Sequence, residues 1–90
     1  MKKTVSERII VGITGASGVI YGVRMLERLR EMNVETHLII SESGKKNIEI
    51  ETAFKPSQVA ALATHCYDSR DVGAALASGS FLTDGMVVIP

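Results

Sequence analysis

Residues 9–22 read IIVGITGASGVIYG, and no other stretch limits the possible folds so tightly. Ile9–Ile13 is a short apolar run rich in β-branched residues, the composition of a strand buried on both faces of a parallel sheet. Glycines follow at 15 and 18 with Ser17 between them. Gly22, Met25, Leu26, Leu29 and Met32 then recur at helical spacing, with Arg24, Glu27, Arg28, Arg30 and Glu31 on the other side. A strand that turns through glycines straight into a helix aims the unpaired N–H groups of the first helical turn at whatever lies above it. The positive end of the helix dipole points the same way. Gly15 and Gly18 let the backbone bend and come close, and Ser17 adds a hydroxyl donor. Such a loop suits a phosphate; the plain alternative is a tight βα turn that binds nothing.

The spacing narrows the ligand. Gly12, Gly15 and Gly18 form G-x-x-G-x-x-G, whereas dinucleotide sites use G-x-G-x-x-G, and Gly12 falls inside the strand. The lysine of a P-loop is absent from the motif. Ser41, with Glu42 after it, stands at the end of the second apolar run, where NAD-binding folds often place an acid. One serine and one tight turn favour a single phosphate, as in a mononucleotide such as FMN, over NAD.

Beyond the helix, Asn33 can take the left-handed conformation that ends one, and VETHLII (34–40) reads as a second strand. Strand, helix and strand make a right-handed βαβ unit. SESG (41–44) reads as a break. KKNIEIET (45–52) reads as a helical piece of poor pattern, since Ile48 and Ile50 alternate and suit a strand equally. Pro56 marks a boundary, and Ser57 is a plausible N-cap for QVAALA (58–63). THCYD (64–68) is ambiguous, DVGAALASGS (71–80) fits a short helix ending at Gly79, and GMVVIP (85–90) fits another buried strand ended by Pro90.

Ninety residues make one small domain, and 46% hydrophobic content is enough for a core. Ten basic residues balance ten acidic ones, and aromatics are 4% with no Trp, which argues against a nucleic-acid surface. No apolar run approaches the ~18 residues of a membrane span. Lys2 and Lys3 hint at a signal peptide, but Glu7 and Arg8 interrupt it before the apolar run, and no small-residue cleavage site follows. The single cysteine, Cys66, cannot staple a secreted fold and fits a reducing cytoplasm.

IIVGITGASGVIYGVRMLERL, THLIIS, IEIET and ASGSFLTDGMVVIP, in this order, resemble the flavin prenyltransferases of the UbiX type. They belong to a wider family of FMN-binding flavoprotein decarboxylases. The resemblance runs from about Arg8 to Pro90. It implies an α/β fold, a flavodoxin-like (Rossmann-type) doubly wound parallel sheet, of which this chain supplies the N-terminal half. It also implies bound FMN and transfer of a dimethylallyl group from dimethylallyl phosphate to reduced FMN, without a metal. The prenylated FMN serves a partner decarboxylase, and the enzymes form large homo-oligomers. Matched residue by residue, Gly15, Ala16 and Ser17 correspond to the flavin-binding loop, with Ser17 also near the reacting centre. Ser41 corresponds to a second FMN contact and Glu51 to an acid that handles protons. The family continues past this strand with a Cys-Ser motif, phosphate-binding basic residues and a second acid. The chain is therefore expected to be truncated at its C-terminal end and inactive alone. Two other readings stay open: an FMN- or mononucleotide-binding half-domain without chemistry, and a flavin-dependent decarboxylase of the wider family.

The other chemistry-bearing residues read as structural. Glu49 reads as a solvated charge, as Glu51 does without the resemblance. His37 is expected half-exposed in its strand, without a metal-spaced partner. His65 and Cys66 are adjacent, so in a strand they point to opposite faces and cannot work as a pair. Tyr21 either packs near a flavin or anchors the helix, and Arg24 and Arg28 read as solvated.

Overall fold

The computed structural model describes residues 7–15, 18–71 and 85–89. The apolar run after Glu7 becomes β1 (Arg8–Ile13). Helix α1 (Val19–Glu31) follows the glycine turn. Its buried stripe is Val19, Gly22, Val23 and Leu26, with Leu29 packed partly against the core. Val19 and Val23, apolar residues outside the expected stripe, thus belong to it. Met32, expected in it, caps the helix and is exposed. Asn33 takes φ 60°, and the amides of Asn33 and Val34 donate to the carbonyls of Arg30 and Leu29. That pair of bonds is a Schellman ending, with asparagine in the left-handed position.

Strand β2 (Glu35–Ile40) lies parallel to β1, with Arg8 opposite Glu35 and Ile13 opposite Ile40. The SESG stretch, expected to break the chain, instead opens helix α2 (Glu42–Glu51). The Ser41 hydroxyl accepts from the Gly44 amide at 3.0 Å, so a polar run that resembles a turn is a helix cap. Ile48 is buried and Ile50 exposed, as a helix requires and a buried strand does not. Helix α3 (Pro56–Ala60) begins at Pro56, but Lys55 holds the N-cap position rather than Ser57. The Lys55 amide donates to the Gln58 side chain at 2.8 Å, which satisfies one of the groups a helix start leaves open. The ambiguous 64–68 segment contains β3 (His65–Asp68), parallel to β2. Reciprocal amide-to-hydroxyl bonds between Thr36 and Thr64, 3.0 Å each, tie its start to β2. Ser69–Asp71 is a single 3₁₀ turn. The rest of the expected 71–80 helix and Pro90 lie outside the described residues.

Strand β4 (Gly85–Ile89) adds to the free side of β1, also parallel, so the sheet order is β3-β2-β1-β4. This is the expected doubly wound α/β arrangement: the chain moves outward from β1 through β2 to β3, then reappears on the opposite side. Val11, Ile13, Leu38 and Ile40 on one sheet face pack with Val19, Val23, Leu26, Ile48 and Val59 of the helices to form the core. The other face carries Ile10 and Gly12 of β1, Glu35, His37 and Ile39 of β2, His65 and Tyr67 of β3, and Met86 and Val88 of β4, by strand alternation and register.

Candidate functional site

Strand order reverses between β1 and β4, and doubly wound folds bind ligands at the carboxyl ends of such a strand pair. Three things meet there. The Thr14 amide donates to the Ile89 carbonyl at 3.2 Å, which continues the β1–β4 ladder to the lip of the site. The glycine turn leaves the lip and enters α1. A cleft of about 270 Å³ opens beside it, lined by Gly12, Ile13, Thr14, Ile39, Ser41, Ser69, Met86 and Val88. Its walls are apolar apart from Thr14, Ser41 and Ser69.

The turn is held from α2. Ser43, Asn47 and Glu51 are spaced four apart, so they share one face of the helix. A side chain at residue 15 would drive into Ser43, so only glycine permits this approach. Asn47 Nδ2 donates to the Gly15 carbonyl. Glu51 Oε1 accepts from the amides of Gly18 at 3.1 Å and Val19 at 3.4 Å. Gly18 has φ 99°, a conformation that favours glycine. A carboxylate therefore sits on the open amides at the positive end of α1, where an anion is most favoured. The turn is built to receive negative charge, and Glu51 supplies it.

The structure thus brings Gly15, Ser41 and Glu51 to one end of the sheet. Ala16 and Ser17 lie outside the described residues. The Ser41 hydroxyl caps α2 and also lines the cleft. Glu49 lies two residues round the helix from Glu51 and is exposed. Tyr21 is exposed beside Gly18 and does not anchor the helix. Arg24 and Arg28 pair with Glu27 and Glu31 along the solvent side of α1. Partial burial of its sulfur raises the thiol pKa of Cys66 above its ordinary value, although the residue is exposed. Ser43 and Asn47 escaped the sequence reading, although the Ser43–Asn47–Glu51 spacing of four marks one helix face once residues 42–51 are read as helical. His37 differs from expectation: it is buried, and Glu35 and His65 stand within metal-ligand reach of it.

The model of the family described as Flavoprotein matches residues 1–90. This chain belongs to the Flavoprotein family. Among curated flavoproteins it is 55% identical over 85 residues to the flavin prenyltransferase LpdB of Lactiplantibacillus plantarum, covering 93% of this chain and 46% of LpdB. Among solved structures it matches AnUbiX (PadA1), crystallised with FMN and dimethylallyl pyrophosphate, with a TM-score of 0.89 and 44% identity. That match covers 96% of this chain and 46% of AnUbiX. It also matches a dodecameric FMN-dependent UbiX-like decarboxylase from Escherichia coli O157:H7, with a TM-score of 0.85 and 52% identity, over 92% of this chain and 46% of that one. The flavoprotein chain spans about half the length of these relatives.

Proposed function

We propose that this chain forms the flavin-holding wall of a flavin prenyltransferase that joins a dimethylallyl group from dimethylallyl phosphate to reduced FMN. The observation that carries the reading is the pair of Gly18 and Val19 amides, aimed at an anion beside an apolar cleft at the strand-order reversal. The residues fit FMN in kind: the amides suit one phosphate, and the apolar walls suit a flat ring system. The relatives' names and the FMN and dimethylallyl pyrophosphate bound to AnUbiX support it.

When bound, reduced FMN supplies the ring that accepts the prenyl group as phosphate departs. The chain's own groups do the rest. The α1 amides, with Gly15, Ala16 and Ser17 of the loop and the hydroxyl of Ser41, hold the flavin. By the family resemblance, Ser17 also serves the reacting centre. Ile39, Met86 and Val88 keep water from its ring. Glu51 handles protons, giving one to the departing phosphate oxygen or taking one from the flavin, a role typically worth ~10²–10⁴-fold in rate. The product serves a partner decarboxylase, the assembly is a homo-oligomer like the dodecameric relative, and the exposed free thiol of Cys66 suits the reducing cytoplasm.

The test is competitive titration with FMN and NAD, followed by mass spectrometry of flavin recovered after incubation with reduced FMN and dimethylallyl phosphate. FMN is expected to bind more tightly. Tighter binding of NAD would sink the reading. FMN binding without prenylated flavin from a form that spans the relatives' full length would favour a binding module instead.

A further inference from the structure

We propose that Glu35, His37 and His65 form a site for a borderline divalent metal such as Zn²⁺, on the sheet face opposite α1, α2 and α3. Register creates it: His37 of β2 lies directly opposite His65 of β3, and Glu35 lies two residues before His37 on the same face. The two imidazoles stack with centroids 4.7 Å apart. His37 Nε2 is 2.7 Å from Glu35 Oε2, and His65 Nε2 is 3.9 Å from the same oxygen. One ligand atom from each residue lies within 4.8 Å of the other two. Bonds of about 2.0–2.1 Å in a tetrahedral site require ligand separations of about 3.4 Å. Reaching that needs a small swing of one ring, and His65, with a side chain 51% exposed, is free to make it.

The surroundings are prepared in two ways. The carboxylate is already oriented: His37 Nε2 and Arg8 Nε both approach Glu35 Oε2, at 2.7 and 3.2 Å. The tautomer of His37 is adjustable. Its Nδ1 is 3.0 Å from the Tyr67 hydroxyl, which can donate or accept. When Nε2–H bonds Glu35, Tyr67 donates to Nδ1. When a metal takes Nε2, the proton moves to Nδ1 and Tyr67 accepts it. An outer partner that fixes the far nitrogen of a ligating histidine is the usual support of such sites. Two imidazoles and one carboxylate favour zinc-type ions over calcium or magnesium, and three ligands leave a position for water. Arg8, 3.2 Å from Glu35 Oε2, must give up that oxygen to the metal. None of the site's three ligands lines the flavin cleft, whose nearest residue on this face, Ile39, lies two positions after His37, about 7 Å along the strand. The site is therefore independent of the flavin reading.

The experiment is calorimetric titration of the flavin-free chain with Zn²⁺, paired with the visible spectrum of the Co²⁺-loaded protein. One-to-one binding and the strong d–d bands of tetrahedral Co²⁺ are expected. Because His37 is buried, the exposed His65→Ala carries the test, with circular dichroism to verify the fold. It is expected to weaken binding more than about tenfold, and Tyr67→Phe about tenfold. Cys66→Ser is expected to change nothing, because Cys66 faces away from His65. No Zn²⁺ heat, a six-coordinate Co²⁺ spectrum, or unchanged affinity in a folded His65→Ala protein would each overturn the proposal. So would loss of binding in Cys66→Ser.

Discussion

Replacing Glu51 by glutamine separates two consequences of the bonds it makes to α1. The Oε1 atom accepts from Gly18 and Val19, so an amide oxygen can keep both bonds while the charge disappears. A charge at a helix terminus contributes about 0.3–1 kcal/mol, and the exposure of Glu51 places it toward the lower figure. Glu51→Gln should therefore lower unfolding free energy by only a few tenths of a kcal/mol in the absence of ligand. The same charge competes with an incoming phosphate. Removing that competition should tighten FMN by about two- to fivefold, the affinity equivalent of about 0.3–1 kcal/mol. In a form that spans the relatives' full length, prenyl transfer should nevertheless fall by ~10²–10⁴-fold if the carboxyl moves protons. The assays are urea denaturation, FMN fluorescence titration and turnover by mass spectrometry. Weaker FMN binding in a folded Glu51→Gln protein would refute the idea that carboxylate and phosphate share the α1 amides. Equal loss of turnover from Glu49→Gln would show that the wrong acid has been assigned.

Other changes give equally definite outcomes. Gly15→Ala must push Ser43 aside, at a cost of about 1–3 kcal/mol, and should weaken FMN; an unchanged thermal midpoint would contradict the close contact. Leu26→Ala empties a fully buried site between α1 and the sheet and should cost about 2–5 kcal/mol by denaturant titration, whereas Ile50→Ala, on an exposed position, should cost little. The side-chain and backbone hydrogen bonds of Arg70 draw the Asp68 pKa down to about 2, and His37 chiefly lowers that of Glu35. Both folded values lie below the unfolded ones. These groups therefore stabilise the protein above about pH 4 and lose that contribution as pH falls toward about 2. A urea midpoint that stays flat from pH 5 to pH 2 would contradict this.

The strand–turn–helix at 8–31 was legible because each local signal agreed: β-branched residues, glycines, a helical stripe and an asparagine stop. The start of α2 was not, because Ser41–Gly44 has a composition shared by turns and N-caps, and only packing distinguishes them. Pro56 announced a helix start correctly, yet Lys55 took the cap because Gln58 reached back to its amide. The site shows the same division. Gly15, Ser41 and Glu51 were named from the sequence and the structure gathers them, but Ser43 and Asn47 became visible only once α2 was seen to begin at Glu42. His37 was misjudged because its partners come from strand register: its neighbour His65 is 28 positions away (65 minus 37), and no local pattern encodes that pairing.

The two sides of β1 assemble over unequal spans of chain. Ile9 pairs with Thr36, 27 positions later (36 minus 9), but also with Gly85, 76 positions later (85 minus 9). Closing the longer loop is entropically costlier and slower, and during synthesis β1, α1 and β2 leave the ribosome well before β4 exists. Until β4 docks, the cleft lacks Met86 and Val88 and the Thr14 amide lacks its Ile89 acceptor. The flavin can then be gripped only once β4 has joined β1. Its capture would act as a completion signal for folding, and quenching of flavin fluorescence during refolding would time the arrival of β4.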